Sequence, residues 1–341
     1  MSEIQAQIPD RRANCFTLVR YIAAVNVFLL HITHMIAIPD WLYRGIRVLD
    51  GIPIFFTLSG FLIWMSLQRE SGFRPFLRKR FFRLYPELWG GVALNAVAII
   101  LLYREKIRWP LFGAFQVTQA TIFQQWTPDF LRGYGCGTPN GVLGSISVLI
   151  QSYLVLWLLF RLLRGRKPLV WGLCVAASMA AAAVFPLLEK PLPGTVYKVL
   201  NATFIPSLRM FLVGAMCAEF FDRVVPFLKK TWIVFYILFL AMKIPGVPDV
   251  DVAHPIAATL FLSLATIGFG YAFPKIQIRH DITYGMFIYH MVVMNAMIQL
   301  NFRSVPALIL CFALTLLLAE ISHRTLGRYS ARMKTRALKE G

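Results

Sequence analysis

Acidic residues are scarce in this chain: sixteen Asp and Glu stand against thirty-five Lys and Arg, a formal net charge of +19. Cysteine is scarce too. Its five residues are scattered, three of them (Cys174, Cys217, Cys311) in apolar segments and only Cys136 in a long outer connection, so no disulfide framework is expected. No His, Cys, Asp or Glu residues stand at metal-ligand spacing, which leaves no metal centre to expect. The chain also lacks repeats, low-complexity tracts and any polar stretch long enough for a second, soluble domain. Any chemistry therefore has to come from the apolar body of the chain.

That body is large. Of 341 residues 58% are hydrophobic and 14% aromatic, and the mean hydropathy is +0.63, too apolar for a water-soluble domain. Continuous apolar runs, rather than alternating ones, predict an all-α integral membrane protein and exclude a β-barrel. About ten helices are expected, near 16–38, 48–68, 86–103, 142–161, 169–187, 204–221, 231–245, 254–273, 282–301 and 304–322. The basic excess follows this topology. With the N-terminus inside, twenty-three Lys and Arg fall on the cytoplasmic side, ten on the other, and two, Arg20 and Arg209, within helices. This bias puts both termini in the cytoplasm and explains the charge by orientation and contact with anionic lipids, with no nucleic-acid partner. The first segment has a polar start, an internal arginine and no small-residue cleavage site, so it reads as a retained helix.

Ionisable residues at membrane depth are costly and tend to mark function. The first apolar segment, LVRYIAAVNVFLLHITH, holds three: Arg20, His31 and His34. Eleven helical residues advance about 16–17 Å and turn the second side chain only about 20° from the first. Arg20 and His31 thus share a face, one near a membrane surface and the other deep, with His34 about 60° off that face. A cation at a mouth and an imidazole at depth suit an elongated anionic substrate. An anchoring arginine with a structural histidine is the plainer alternative.

Four other segments carry polar groups into apolar surroundings. GIPIFFTLSGFLIW places Ser59 and Gly60 inside a helix, as a hydroxyl site or simply a packing notch. FRPFLRKRFFRLYPELW gathers Arg78, Lys79, Arg80 and Arg83 just before a membrane entry marked by Pro86. Arginine forks grip phosphates, so this cluster suits a phosphorylated co-substrate, or else lipid headgroups. IPSLRMFLVGAMCAEF buries Arg209, either at a substrate or in an ion pair with Glu219 or Asp222. DITYGMFIYHMVVMN adds Tyr284, Tyr289 and His290. The longest connection, 104–141, contains GYGCGTPNG, which predicts a turn-rich, mobile outer segment of the kind that forms lids or acceptor sites. Its Trp109, Trp126 and Tyr134 are candidates for stacking on sugars or for interfacial anchoring.

Taken in order, Arg-x10-His, FFxxSGF, KRxxRLxP and TYGxxxYH resemble the acyltransferase family 3 membrane proteins, above all bacterial O-acetyltransferases of surface polysaccharides, over residues 14–322. The resemblance implies a cytoplasmic segment 1–13, a membrane acyltransferase domain 14–322 of about ten helices and a basic cytoplasmic tail 323–341, in the bacterial inner membrane. It implies transfer of an acyl group, most commonly acetyl, from cytoplasmic acetyl-CoA to a hydroxyl of an extracytoplasmic or lipid-linked glycan such as O-antigen or exopolysaccharide. By position, Arg20, His31, Ser59 and His290 are the catalytic candidates. Arg78, Arg80, Arg83 and Arg20 would hold the acyl-CoA, and Tyr284, Arg209 and His34 would meet substrate. A standalone member is expected, without a fused periplasmic hydrolase-like domain. One departure stands out in NGVLGSISVLIQSYL: Gly144 and Leu149 occupy the places of the tryptophan and glutamate in a WTLxVE-type motif.

Two rival readings remain open at this stage. Arg20, His31, Arg209 and His290 could form the relay of a transporter, although no paired halves with broken helices are visible. The altered glutamate position would also suit a non-catalytic partner in polysaccharide assembly.

Overall fold

The computed structural model describes residues 9–244, 246–247 and 254–339. The first eight residues of the expected cytoplasmic segment, position 245 at the end of the seventh expected helix and the last two residues of the tail lie outside them. The described residues are helical and contain no strand: α1 (Phe16–His31), α2 (Asp40–Ile46), α3 (Gly51–Arg69), α4 (Phe73–Tyr103), α5 (Trp109–Gln119), α6 (Leu143–Leu163), α7 (Pro168–Val184), α8 (Gly194–Asn201), α9 (Leu208–Glu219), α10 (Phe221–Ala241), α11 (Ile256–Ala272), α12 (Thr283–Gln299), α13 (Val305–Ser322) and α14 (Arg328–Lys339). All ten expected segments are helices. Seven helices among the described residues are long and apolar enough to cross a membrane, eight if α8 and the bent stretch Ile205–Glu219 form one span. The count of ten spans is not reached on that basis. At seventeen residues, α11 and α12 rise about 26 Å, short of a hydrocarbon core about 30 Å thick. The chain is a multi-pass helical membrane protein.

Two local expectations are corrected, and the tail gains a structure. The third apolar helix begins at Phe73 rather than near 86, so the basic motif is helical and Pro86 lies inside α4, where it removes only one N–H from a 31-residue ladder. The connection 104–141 is built rather than loose: it carries α5, and Phe112, Phe115, Leu131 and Tyr134 pack with Ile99, Tyr103 and Ile107 into a small core. The C-terminal tail continues from α13 through a π-helical turn, His323–Gly327, into α14, which packs along α4.

The chain divides into two compact units. The first comprises residues up to Ala23, Val48–Ser71 and Val148–Arg279. Its centre is a close crossing of α3 and α9. A Cβ at Gly60 would stand 2.1 Å from the Phe211 carbonyl oxygen, and one at Gly214 2.1 Å from that of Thr57. The packing notch foreseen at Gly60 is therefore a backbone-to-backbone contact that only glycine permits. Around it Thr57 Oγ1 lies 2.7 Å from Ser263 Oγ, and the fully buried Trp64 packs edge-on against Trp171 and Phe160.

The second unit comprises Ala24–Arg47, Gly72–Ser147 and the chain from His280 onward. Its core helix is α12, with fourteen of seventeen residues buried, packed against α4 and α13. A helix apolar and buried all round leaves its few polar side chains facing protein, so each needs a partner or a task.

Candidate active site

The second unit brings three of the candidate residues together. His31, the last residue of α1, has its ring centroid 5.1 Å from that of His290 on α12 and 5.8 Å from that of His34. The chain after His31 tightens into a 3-10 turn, Ile32–His34, and three residues per turn bring positions 31 and 34 into line. His31 is half-buried, His34 exposed and His290 buried, with the rings of Phe28 and Phe287 each 6.2 Å from His290.

Both deeper imidazoles are oriented by the backbone of their own helices. His31 Nδ1 lies 2.7 Å from the Val27 carbonyl oxygen and His290 Nδ1 3.1 Å from that of Met286, each one turn back. A carbonyl can only accept, so Nδ1 carries the hydrogen in each ring, and the neutral ring presents the Nε2 lone pair. His290 Nε2 is buried and meets no hydrogen-bond partner among the described residues. The arrangement is two imidazoles with fixed tautomers and basic nitrogens, close to the aromatic rings of Phe28 and Phe287. Sequence leaves the partner of His31 open among Ser59, His34, Tyr284 and His290; the structure supplies Val27.

Arg78, Lys79, Arg80 and Arg83 occupy the early turns of α4 in the same unit. Arg78 and Arg83 are exposed, Lys79 and Arg80 half-buried, and the Arg80 guanidinium lies 5.5 Å from the Phe76 ring. Tyr284 donates to the Leu84 carbonyl at 3.1 Å, which ties the start of α12 to the end of the basic motif. Glu87, passed over in the sequence, stands one turn beyond Arg83. It hydrogen-bonds Ser322 and has Arg83 and Asp281 as charged neighbours. Its signal was an acidic residue closing an otherwise basic run.

The remaining candidates belong to the first unit. Arg20 is half-buried on α1 and donates to Thr17 Oγ1 at 3.2 Å. Since α1 is unbroken from Phe16 to His31, Arg20 and His31 do stand on one helix face. Ser59 is half-buried on α3 beside the Gly60 crossing. Arg209 is buried and its guanidinium donates to the carbonyls of Pro206 and His254. Of the two acids suggested for it, Glu219 accepts from Trp64, Gln68 and the Gly165 amide, and Asp222 pairs with Arg11.

The outer connection differs most from expectation. The GYGCGTPNG segment is pinned to α12 by Asn140, Asn295 and Gln299, none of which the sequence singled out. Tyr134 is fully buried, and burial raises its phenol pKa, so it cannot stack on a sugar; Trp109 and Trp126 are exposed. A Cβ at Gly144 would meet Gln125 Oε1 at 2.8 Å, and Gln125 Nε2 donates to the Gly144 carbonyl, so a larger residue there displaces the Gln125 side chain.

The described residues form a multi-pass helical membrane body that holds two imidazoles of fixed tautomer and, on α4, a run of basic residues. The chain belongs to acyltransferase family 3: the family's acyltransferase-domain model matches residues 14–323. Among similar proteins, "Nodulation protein 10" of Rhizobium leguminosarum bv. viciae is 27% identical over 315 residues, covering 84% of each chain. An "O-acetyl transferase" of Shigella phage Sf6 is 24% identical over 335 residues, 91% of this chain and 94% of its own. "Acyltransferase MdmB" of Streptomyces mycarofaciens is 27% identical over 227 residues, 61% of this chain and 57% of its own. No solved structure matches the chain. The protein is accordingly an acyltransferase acting on groups other than amino-acyl groups.

Proposed function

We propose that this protein moves an acyl group, acetyl in the first instance, from cytoplasmic acyl-CoA to a hydroxyl of an extracytoplasmic or lipid-linked glycan, in a bacterial inner membrane with both termini in the cytoplasm. The observation that carries the reading is the His31 imidazole, held by the Val27 carbonyl with Nε2 left as a base. The phage relative's name adds O-acetyl transfer as the chemistry. Ten crossings, two or three more than length and apolarity give among the described residues, belong to the same proposal.

In this mechanism His31 Nε2 takes the proton of a sugar hydroxyl as its oxygen attacks the thioester carbonyl carbon. The C–O bond forms, the C–S bond breaks, and the imidazolium returns the proton to the departing thiolate, so the ring ends as it began. The Nδ1 bond to Val27 strengthens while the ring is charged, because a cationic donor makes the stronger hydrogen bond. Arg78, Arg80 and Arg83 bind the donor's phosphates at the start of α4, and Arg20 lends a further cation one α1-length from His31. His290 supports the first ring as a second base. Tyr284, Arg209 and His34 are assigned to substrate contact.

The test is mass spectrometry of surface glycans from cells making the wild type, His31→Ala or no protein. An acyl mass increment found only with wild type supports the reading and identifies the group. An increment that survives His31→Ala moves the base elsewhere. Absence of any increment, with the protein confirmed in the membrane, overturns glycan as the acceptor.

A further inference from the structure

The two imidazoles sit in the same local pattern. Phe28-Leu29-Leu30-His31 on α1 and Phe287-Ile288-Tyr289-His290 on α12 are both Phe-x-x-His. Three helical residues leave each phenyl about 60° round its helix from the imidazole, just before it in the chain. Each helix thus supplies a histidine, the carbonyl that holds its Nδ1 and a phenyl ring on a neighbouring part of the same face.

The second unit packs these rings together around His290. Phe28 and Phe287 each lie 6.2 Å from it, edge to face, and Phe28 lies 5.0 Å from Phe312 of α13. Exposure falls in one direction across the cluster. His34 is exposed, His31 half-buried, and His290, Phe28 and Phe287 are buried, Phe28 at 4%. The histidines are therefore open to the surroundings at His34 and backed by phenyl rings at His290. With the thioester carbonyl at His31, an acyl tail lowers its free energy by leaving the exposed end for the apolar one. There it meets Phe28, whose ring has a second ring behind it. Interiors are close-packed, so each further methylene on the tail has to displace a braced phenyl.

We propose that Phe28 is a specificity-determining residue: held between His290 and Phe312, it limits the length of the acyl tail and restricts the donor to short chains. This deepens the acyl-transfer reading and rests on it. The limit concerns the tail alone, because the donor's phosphates are assigned to α4.

The experiment measures binding to the full-length protein in lipid nanodiscs, with two thioether analogues that cannot transfer a group, S-ethyl-CoA and S-hexyl-CoA. Both share the CoA head, so the ratio of their Kd values cancels whatever α4 contributes, and no acceptor is needed. In the wild type the Kd for the hexyl analogue should exceed that for the ethyl analogue about tenfold or more. Phe28→Ala leaves an apolar space that hydrocarbon fills more readily than water, so this ratio should fall about tenfold. A parallel loss of affinity for both analogues marks a merely structural ring and overturns the proposal. An unchanged ratio, or a wild type that binds both alike, overturns it too while leaving acyl-CoA as the donor. If Phe28→Ala does not accumulate, Phe28→Leu keeps an apolar filling, removes the far edge of the ring and carries the same comparison with S-butyl-CoA. A wild type that binds neither analogue overturns the acyl-CoA reading, and the chain-length limit with it.

Discussion

At the scale of single residues, the two imidazoles show how little of a site is stated by the identity of its members. His31 and His290 are visible in the sequence, each as an ionisable group in an apolar run, and the same cost of burial flags Arg20 and Arg209. What makes a histidine a base is the partner of its other nitrogen, and for both rings that partner is a carbonyl one turn back. A backbone acceptor has no signature in sequence, which is why side-chain partners were the only candidates there. His31→Ala should lower transfer about 10²–10⁴-fold at unchanged membrane abundance, measured on radiolabelled acetyl-CoA. Arg83→Ala should chiefly raise the KM for acyl-CoA, by about tenfold or more for the loss of a charged hydrogen bond, while Arg83→Lys recovers part of it. Tyr134→Phe makes the opposite case. Its hydroxyl is buried without a hydrogen-bond partner among the described residues, so removing it should leave transfer unchanged and the melting temperature equal or higher.

At the scale of elements, the helices were legible because apolar runs are local. All ten expected segments are helical, and even the break after α8 falls near a Pro, Pro206, within the sequence. The errors sit where tertiary contacts overrule local cues. Pro86 reads as a helix start, yet α4 runs through it from Phe73. GYGCGTPNG reads as mobile because glycines cost chain entropy, yet Asn295 and its neighbours hold it along α12. For Gly60 the sequence allows a packing notch beside a hydroxyl site, and the α3–α9 crossing makes the notch quantitative: Gly60→Leu forces the two backbones apart. That overpacking should cost about 1–3 kcal/mol or more and lower the melting temperature of the detergent-purified protein, without first altering either KM. A variant melting like wild type would mean that α3 and α9 do not cross where the structure puts them.

At the scale of the whole molecule, orientation is argued from the twenty-three Lys and Arg expected on one side against ten on the other. A C-terminal green fluorescent protein fusion should fluoresce and an alkaline phosphatase fusion at the same point should stay inactive; the reverse pattern would invert the proposed route from donor to acceptor. What sequence determined by itself is whatever depends on composition and near neighbours: a helical membrane protein, its segment order, the basic face of α4 and the family motifs. Tertiary structure alone decided which polar groups meet. The His31–His290 pair joins residues 259 positions apart, the Asn295 hydrogen bonds join residues 156 to 159 positions apart, and Tyr134 is buried by a core assembled from α4 and α5. The physical reason is that burial makes an ionisable or amide group expensive wherever it falls, so sequence betrays its presence. Its role depends on which partner removes that cost, and partners at such separations are chosen only when the helices pack.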